Sequence, residues 1–377
     1  MSRFSRRALG GLVSAVMLAT AAPAASAPAD RRGGHVPTES KSLDQLYKEA
    51  LAEGGGLVVY AGGDSPDQNE GLAQAFRNRF PGVAITIKTD LSKYHDARID
   101  NQLARGRLEP DVTQLQTLHD FDRWKSQGAL LAYKAAGWDK VYPQFKDAGG
   151  TYTGFMGLAF SYVTNNALVP ADRLPRTALD FLAPEYQGKL TITWPNDDDA
   201  VLYMFKRIVD QYGWTYLDRL MAQRPTFVRG MPASLGAVSS GQAAASIAAF
   251  GMLAADPTSP TTFTLPVDDF FQSWAQTAAI FAAAKHPAAA KLYLNWLLSK
   301  EFQQNNVPQW PVREDVAPPA GYRPLVSYGN TSHAGFHEFL KNRPAIEQFR
   351  SQIELYVGTP QGPNPAGASG PLLLTGN

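Results

Sequence analysis

The chain has 377 residues, 35 Lys and Arg against 34 Asp and Glu, 44% hydrophobic residues and no cysteine. Without cysteine there is no disulfide and no thiolate metal site, and a lipid-modified N-terminal cysteine is not expected. The near balance of charge offers no basic surface, so neither nucleic acid nor a polybasic membrane contact is expected.

Arg3, Arg6 and Arg7 precede an apolar run over residues 8–22. Small-residue cleavage patterns follow at Ala22-Pro23-Ala24, Ala25-Ser26-Ala27 and Ala27-Pro28-Ala29. Residues 1–29 therefore read as an export signal cut after Ala24 or Ala29, too short to span a membrane, and the mature protein is expected to be periplasmic or secreted. Ser5-Arg6-Arg7 fits either the twin-arginine or the general secretory route. Cleavage leaves 32 basic against 34 acidic residues. About 345 residues exceed one ordinary core, which predicts two lobes. Residues 30–40, with Gly33, Gly34 and Pro37, read as a flexible leader, and residues 358–377 as a loose Gly- and Pro-rich tail.

Ser42 caps a helix carrying Leu43, Leu46, Tyr47 and Ala50, which Gly54-Gly55-Gly56 stops. Residues 57–60 are a continuous apolar run, as in a strand buried on both faces. Leu72, Ala75, Phe76 and Phe80 mark a helix before Pro81-Gly82, residues 83–87 a strand, Ile99 and Leu103 a helix, and residues 111–115 a third strand. The pattern resumes with strands at residues 190–193, 226–228 and 243–248. Helices lie between them, through Val201 and Ile208 and over residues 235–240. Strand–helix alternation of this kind predicts an α/β chain with parallel strands. The expected layout is lobe 1 over residues 41–157, a hinge over 158–163, lobe 2 over 164–264 and a return crossover over 265–280. Lobe 1 helices and a C-terminal segment over 281–357 complete it. In such sheets ligands sit beyond the carboxyl ends of the strands, where helix N-termini offer free N–H groups.

Three stretches carry a resemblance. They are Leu182-Ala183-Pro184-Glu185-Tyr186-Gln187-Gly188-Lys189-Leu190, Lys285-His286-Pro287-Ala288-Ala289 with Leu294 and Leu297, and Glu109-Pro110-Asp111-Val112. The sequence resembles the periplasmic solute-binding proteins of ABC importers, in the group that includes ferric-iron binders. The resemblance implies a type II periplasmic binding protein: two Rossmann-like lobes joined by two crossover strands, closing on a ligand, monomeric, with an importer permease as partner and no cofactor. The ferric binders' adjacent tyrosines are replaced here by Ala248-Ala249-Phe250-Gly251. Their histidine is absent from Gly62-Gly63-Asp64, and Gln116 stands where they carry an acid. Fe³⁺ prefers anionic oxygen donors, so a tyrosinate iron site is not expected, nor any other resident metal.

The expected ligand is a small polar molecule, an anion with a carboxylate or phosphate. Arg229 would grip it, Gly63 and Gly230 would let backbone approach, and Gln116, Thr117 and Asn196 would orient it. Asp64 and Tyr94 are further cleft candidates. Of Asp197-Asp198-Asp199, two are expected to start a helix and Asp197 to reach the cleft. Phe250 takes the place of the tyrosine pair. Phe271 and Trp274 either stack on a ligand or pack in the core. His95-Asp96 and His119-Asp120 match no compact metal motif and read as cap and surface residues. No G-x-S-x-G elbow, phosphate loop or dinucleotide fingerprint occurs, so an enzyme is not expected. The rivals are a secreted hydrolase or lyase using cleft Asp and His residues, a non-tyrosinate metal binder, and a receptor-docking protein that signals instead of feeding an importer.

Overall fold

The computed structural model describes residues 36–254 and 256–367. The expected export signal, the start of the leader and the end of the tail lie outside the described residues. Helix α1 (Leu43–Glu53) opens with a reciprocal cap, in which Ser42 Oγ accepts from Gln45 N and Gln45 Oε1 accepts from Ser42 N. Then come β1 (Gly56–Gly62), α2 (Glu70–Arg79), β2 (Ala84–Asp90), α3 (Ser92–Ala104), β3 (Val112–Leu115) and α4 (Leu118–Ser126). The long strand β4 (Thr153–Asn165) leads to β5 (Thr191–Thr193), α5 (Asp199–Tyr212), α6 (Thr215–Ala222), β6 (Thr226–Val228), α7 (Met231–Ser239), β7 (Ala245–Ala249) and β8 (Thr261–Thr264). Strand β9 (Gln272–Ile280) returns the chain to α8 (Pro287–Leu297), α9 (Lys300–Asn305), α10 (His333–Lys341) and α11 (Arg343–Val357).

The expected parallel pairing holds for β2–β1–β3 and for β5–β6. It fails for β3–β9, β9–β4, β4–β7 and β4–β8, all antiparallel. One strand carries the chain out of the first lobe and another carries it back, so the two must run in opposite directions. The pairing order β2-β1-β3-β9-β4-β7 passes through both lobes. Residues 153–160 of β4 pair with β9, and from Ser161 onward β4 pairs with β7 and β8. β4 thus changes partners between Phe160 and Ser161.

The last two helices do not stay with the first lobe. α10 touches both α4 and α5, and α11 lies on α6, where Trp214 packs on Phe349 and Tyr356. Ile346, Phe349, Ile353 and Val357 give α11 one buried apolar stripe, and that stripe needs a partner surface. The segments expected to be loose are also engaged. Thr38 bridges Lys134, and residues 358–367 make the contacts described below. Among the described residues no helix is long and apolar enough to cross a membrane.

Gln309 fastens the crossing point. Fully buried, it accepts from Ala159 N at 2.6 Å and donates to Gly251 O at 2.7 Å. Gln309→Leu keeps the volume but strands these backbone groups. We expect a loss of about 1–3 kcal/mol in urea unfolding; unchanged stability would mean that the two groups find other partners.

Candidate functional site

A cavity of about 540 Å³ lies where the two lobes meet. Its floor is one face of the two crossing strands. Met156, Leu158 and Phe160 alternate along β4, and Trp274 and Gln276 of β9 stand opposite Leu158 and Met156. Phe160 and Trp274 meet edge to face with ring centroids 4.8 Å apart. The amide and indole groups of the floor and the Tyr293 phenol are fixed by one another. Tyr293 Oη donates to Gln114 Oε1 at 2.8 Å, Gln276 Nε2 donates to Gln114 O at 3.3 Å, and Trp274 Nε1 donates to Gln276 Oε1 at 3.1 Å.

The walls come from segments that follow strands. Gly62, Gly63 and Asp64 end or follow β1, Leu91 and Lys93 follow β2, and Gln116 and Thr117 follow β3. Asp197, Asp198 and Asp199 follow β5, Met231 and Pro232 follow β6, and Phe250 follows β7. This is the placement expected for ligand loops in an open α/β sheet. Gly62 is required by close approach, since a Cβ there would lie 2.2 Å from Ser92 Oγ.

Three contacts join the lobes across the cavity. Lys93 Nζ donates to Asp197 Oδ1 at 2.6 Å, Asp64 Oδ2 accepts from Met231 N at 2.9 Å, and Gln116 Nε2 donates to Asp198 Oδ2 at 3.3 Å. Asp197 also accepts from Arg229 Nε and Nη2, at 2.7 and 3.2 Å. Burial opposes its charge, but Arg229 and Lys93 outweigh burial and hold the Asp197 carboxyl below its ordinary value. Asp199 is bonded by Arg343 and Arg350. Asp198 is the side-chain cap of α5, accepting from Ala200 N and Val201 N. Neither Asp64 nor Asp198 forms an ion pair among the described residues, although the charge of Lys93 reaches Asp64. Burial, then the charge of Asp64, pushes Asp198 up to about 7, and burial likewise raises Asp64.

Of the residues expected at the site, Gly63, Asp64, Gln116, Thr117, Asp197, Phe250 and Trp274 line this cavity. The others do not. Arg229 lies outside the lining behind Asp197, bonded to it through Nε and Nη2 and to Gly362 O through Nη1 at 2.9 Å. Gly230 precedes α7 with φ 78°, against Pro365 and Asp64. Asn196 is buried and donates to Gly358 O, Tyr94 is 40% exposed outside the lining, and Phe271 packs in the core against Tyr328. Lys93 was missed because it adjoins Tyr94, the more conspicuous side chain. All three aspartates of the run line the cavity, beyond the single one expected.

Asp96, His119 and Asp120 lie close enough to share a metal ion. Arg123 already sits among them, bonded to Asp96, Asp100 and Asp120, and supplies the cation. The cluster is outside the cavity lining. His95, expected at the surface, is buried between Lys88 O and Arg98.

Two α/β lobes, two crossing strands and a cavity at the junction give the fold of the type II periplasmic binding proteins. Residues 111–330 match the model of the bacterial extracellular solute-binding protein family, and the chain belongs to that family. Solved structures share the fold. The substrate binding protein of an ABC transporter from Agrobacterium tumefaciens has a TM-score of 0.66 at 18% identity, over 79% of this chain and 94% of that chain. Iron-bound HitA from Pseudomonas aeruginosa gives 0.62 at 15%, over 79% and 99%. AfuA from Actinobacillus pleuropneumoniae, with fructose-6-phosphate bound, gives 0.61 at 17%, over 80% and 99%. No curated protein sequence matches the chain significantly.

The raised pair makes a pH prediction. An acid whose folded pKa lies above its unfolded value binds more protons folded than unfolded, so its contribution to stability falls as pH rises through that interval. For Asp198 the interval runs from about 3.8 to about 7. Buried histidines such as His95 and His333, whose pKa values are depressed, act in the opposite sense, so the difference between variants is the readout. Asp198→Asn should gain stability relative to wild type between pH 5 and pH 7.5. A wild-type-minus-variant difference flat across that range in urea melts would contradict the assignment.

Proposed function

We propose that this chain captures a small organic solute in the interlobe cavity, without turning it over, and delivers it to an ABC-importer permease outside the cytoplasm. Family membership and the position of the cavity support the capture role.

The ligand's charge follows from which cavity groups lack a partner. The expectation of an anion rested on cleft-facing helix starts and on Arg229; Asp198 and Asp64 already accept from the N–H groups that open α5 and α7, and Arg229 is held by Asp197. Among the described lining residues Lys93 is the one cation, and it too is bonded to Asp197. Among the described residues no tyrosine and no arginine lines the cavity, so the wall offers an Fe³⁺ ion no phenolate and a phosphate no guanidinium. Asp64 and Asp198 remain, two carboxylates without a cation beside Leu72, Leu158, Phe160, Phe250 and Trp274. A protonated amine with an apolar body answers both features. Its charge offsets the pair that burial and mutual repulsion disfavour, and its carbon frame covers the aromatic floor. The observation that carries this reading is that neither Asp64 nor Asp198 forms an ion pair among the described residues, while Lys93, whose charge also reaches Asp64, and Arg229 are bonded to Asp197.

Mass spectrometry of small molecules released from the denatured protein should return an amine. In calorimetry with that amine, Asp64→Asn should weaken binding by about tenfold to a hundredfold, the loss of one charge-assisted contact of ~1.5–3 kcal/mol. Release of a carboxylate or phosphate compound, or equal affinity of the variant, would reject the amine.

A further inference from the structure

The C-terminal segment 358–367 touches both lobes beside the cavity. On the second lobe, Asn196 Nδ2 donates to Gly358 O at 2.9 Å and Arg229 Nη1 donates to Gly362 O at 2.9 Å. Pro365 lies so close to Gly230 that a Cβ there would come within 2.8 Å of it. On the first lobe, Asn364 Nδ2 donates to Asp90 Oδ1 at 2.9 Å, and Gly367 lies against Pro66. Ala366, between them, is 3% exposed. The first-lobe anchor is firm, because Asp90 is buried at the end of β2, where it also accepts from Arg98 at 2.7 Å and from Leu91 N at 2.8 Å.

We propose that residues 358–367 form a strap that holds the two lobes together at the rim of the cavity, biasing the protein towards its closed arrangement and slowing ligand exchange. The second-lobe attachments fall on the segments that carry the ligand wall. Asn196 adjoins Asp197, Arg229 grips Asp197 with its other arm, and Gly230 precedes Met231, whose N–H reaches Asp64. The strap therefore acts on the same groups that close the cavity. Gly358, with φ 82°, turns the chain out of α11 towards the rim, where a residue with a Cβ would be strained. Opening the lobes stretches the segment between Asn196 and Asp90, so either its bonds break or the opening is resisted. The slower exchange rests on the reading of the cavity as a ligand site; the lobe-holding role does not.

The test needs no ligand. The chain has no native cysteine, so cysteines placed at the exposed positions Gln127 on the first lobe and Arg219 on the second take spin labels without competing sites. Pulsed electron-spin distance measurements on the full chain should give one short, narrow distribution. Ending the chain at Val357 should lengthen and broaden it, and Asn364→Ala, which removes the bond to Asp90, should shift it in the same direction by less. If the shortened chain fails to fold, Asn364→Ala decides alone. Distributions that superimpose on the full chain's, in variants with an unchanged circular dichroism spectrum, would overturn the strap. Failure to recover any solute would count against the ligand reading and leave these distances unaffected.

Discussion

Antiparallel pairing of β4 with β9 is the constraint on which the site depends. The register sets Leu158 beside Trp274 and Met156 beside Gln276. Because side chains alternate across a strand, choosing that register chooses the floor of the cavity. A slip by one residue would turn Met156, Leu158 and Phe160 away from the cavity and bring their neighbours to the floor. Gln309 and the bonded amide of Gln276 in the floor hold the register where the sheet changes lobes. The same crossing brings the ends of the parallel strands in both lobes to a common rim, so the polar groups there are loop residues on a rigid base.

Electrostatics at that rim is organised by pairing. Asp197 has Lys93 and Arg229, and Asp199 has Arg343 and Arg350. Each of these acids is ion-paired with two cations, while among the described residues Asp64 and Asp198 form no ion pair. Backbone N–H groups serve Asp64 and Asp198 instead, and these satisfy oxygen lone pairs without bringing a full positive charge. Hydrogen bonding and charge balance are separate requirements, and here the first is met for Asp198 while the second is not. An arginine following a strand is therefore a poor guide to ligand charge until its partner is known.

Much of the scaffold was legible in the sequence because it rests on local signals. The Ser42 cap, the glycine stop at Gly54, the apolar run at residues 57–60 and the helix opened by Pro287 all sit where their chemistry places them. The post-strand position of Gly63, Asp64, Gln116 and Thr117 followed from the same reasoning. What was not legible depends on residues far apart in the chain. Arg229 looked free because its competitor for attention, Asp197, lies 32 positions earlier. The antiparallel pairing of β9, a strand expected as the return crossover, and the reach of α11 onto α6 arise from packing that no local window contains. Asn196 read as a ligand contact because it follows a strand, yet its amide is taken by a segment whose Gly- and Pro-rich composition suggested that it would be loose.

That composition has a second meaning once the contacts are known. Glycine and proline disfavour helix and sheet, but they do not prevent a chain from being held by its carbonyls. Gly358 and Gly362 offer unobstructed carbonyl oxygens to Asn196 and Arg229, and Pro365 fills the space that Gly230 leaves empty. A segment bound this way has few contacts of its own to protect it, so its bonds can form and break without disturbing either core. Attachment by a few polar bonds to both sides of a cleft gives a restraint that is weak enough to yield and specific enough to favour one arrangement. Burial of Asp64 and Asp198 works against that restraint, since closing the lobes brings two carboxylates together out of water. Under the proposed capture role, a solute or a proton that neutralises the pair removes this opposition and would link occupancy of the cavity to closure of the lobes through the same two side chains.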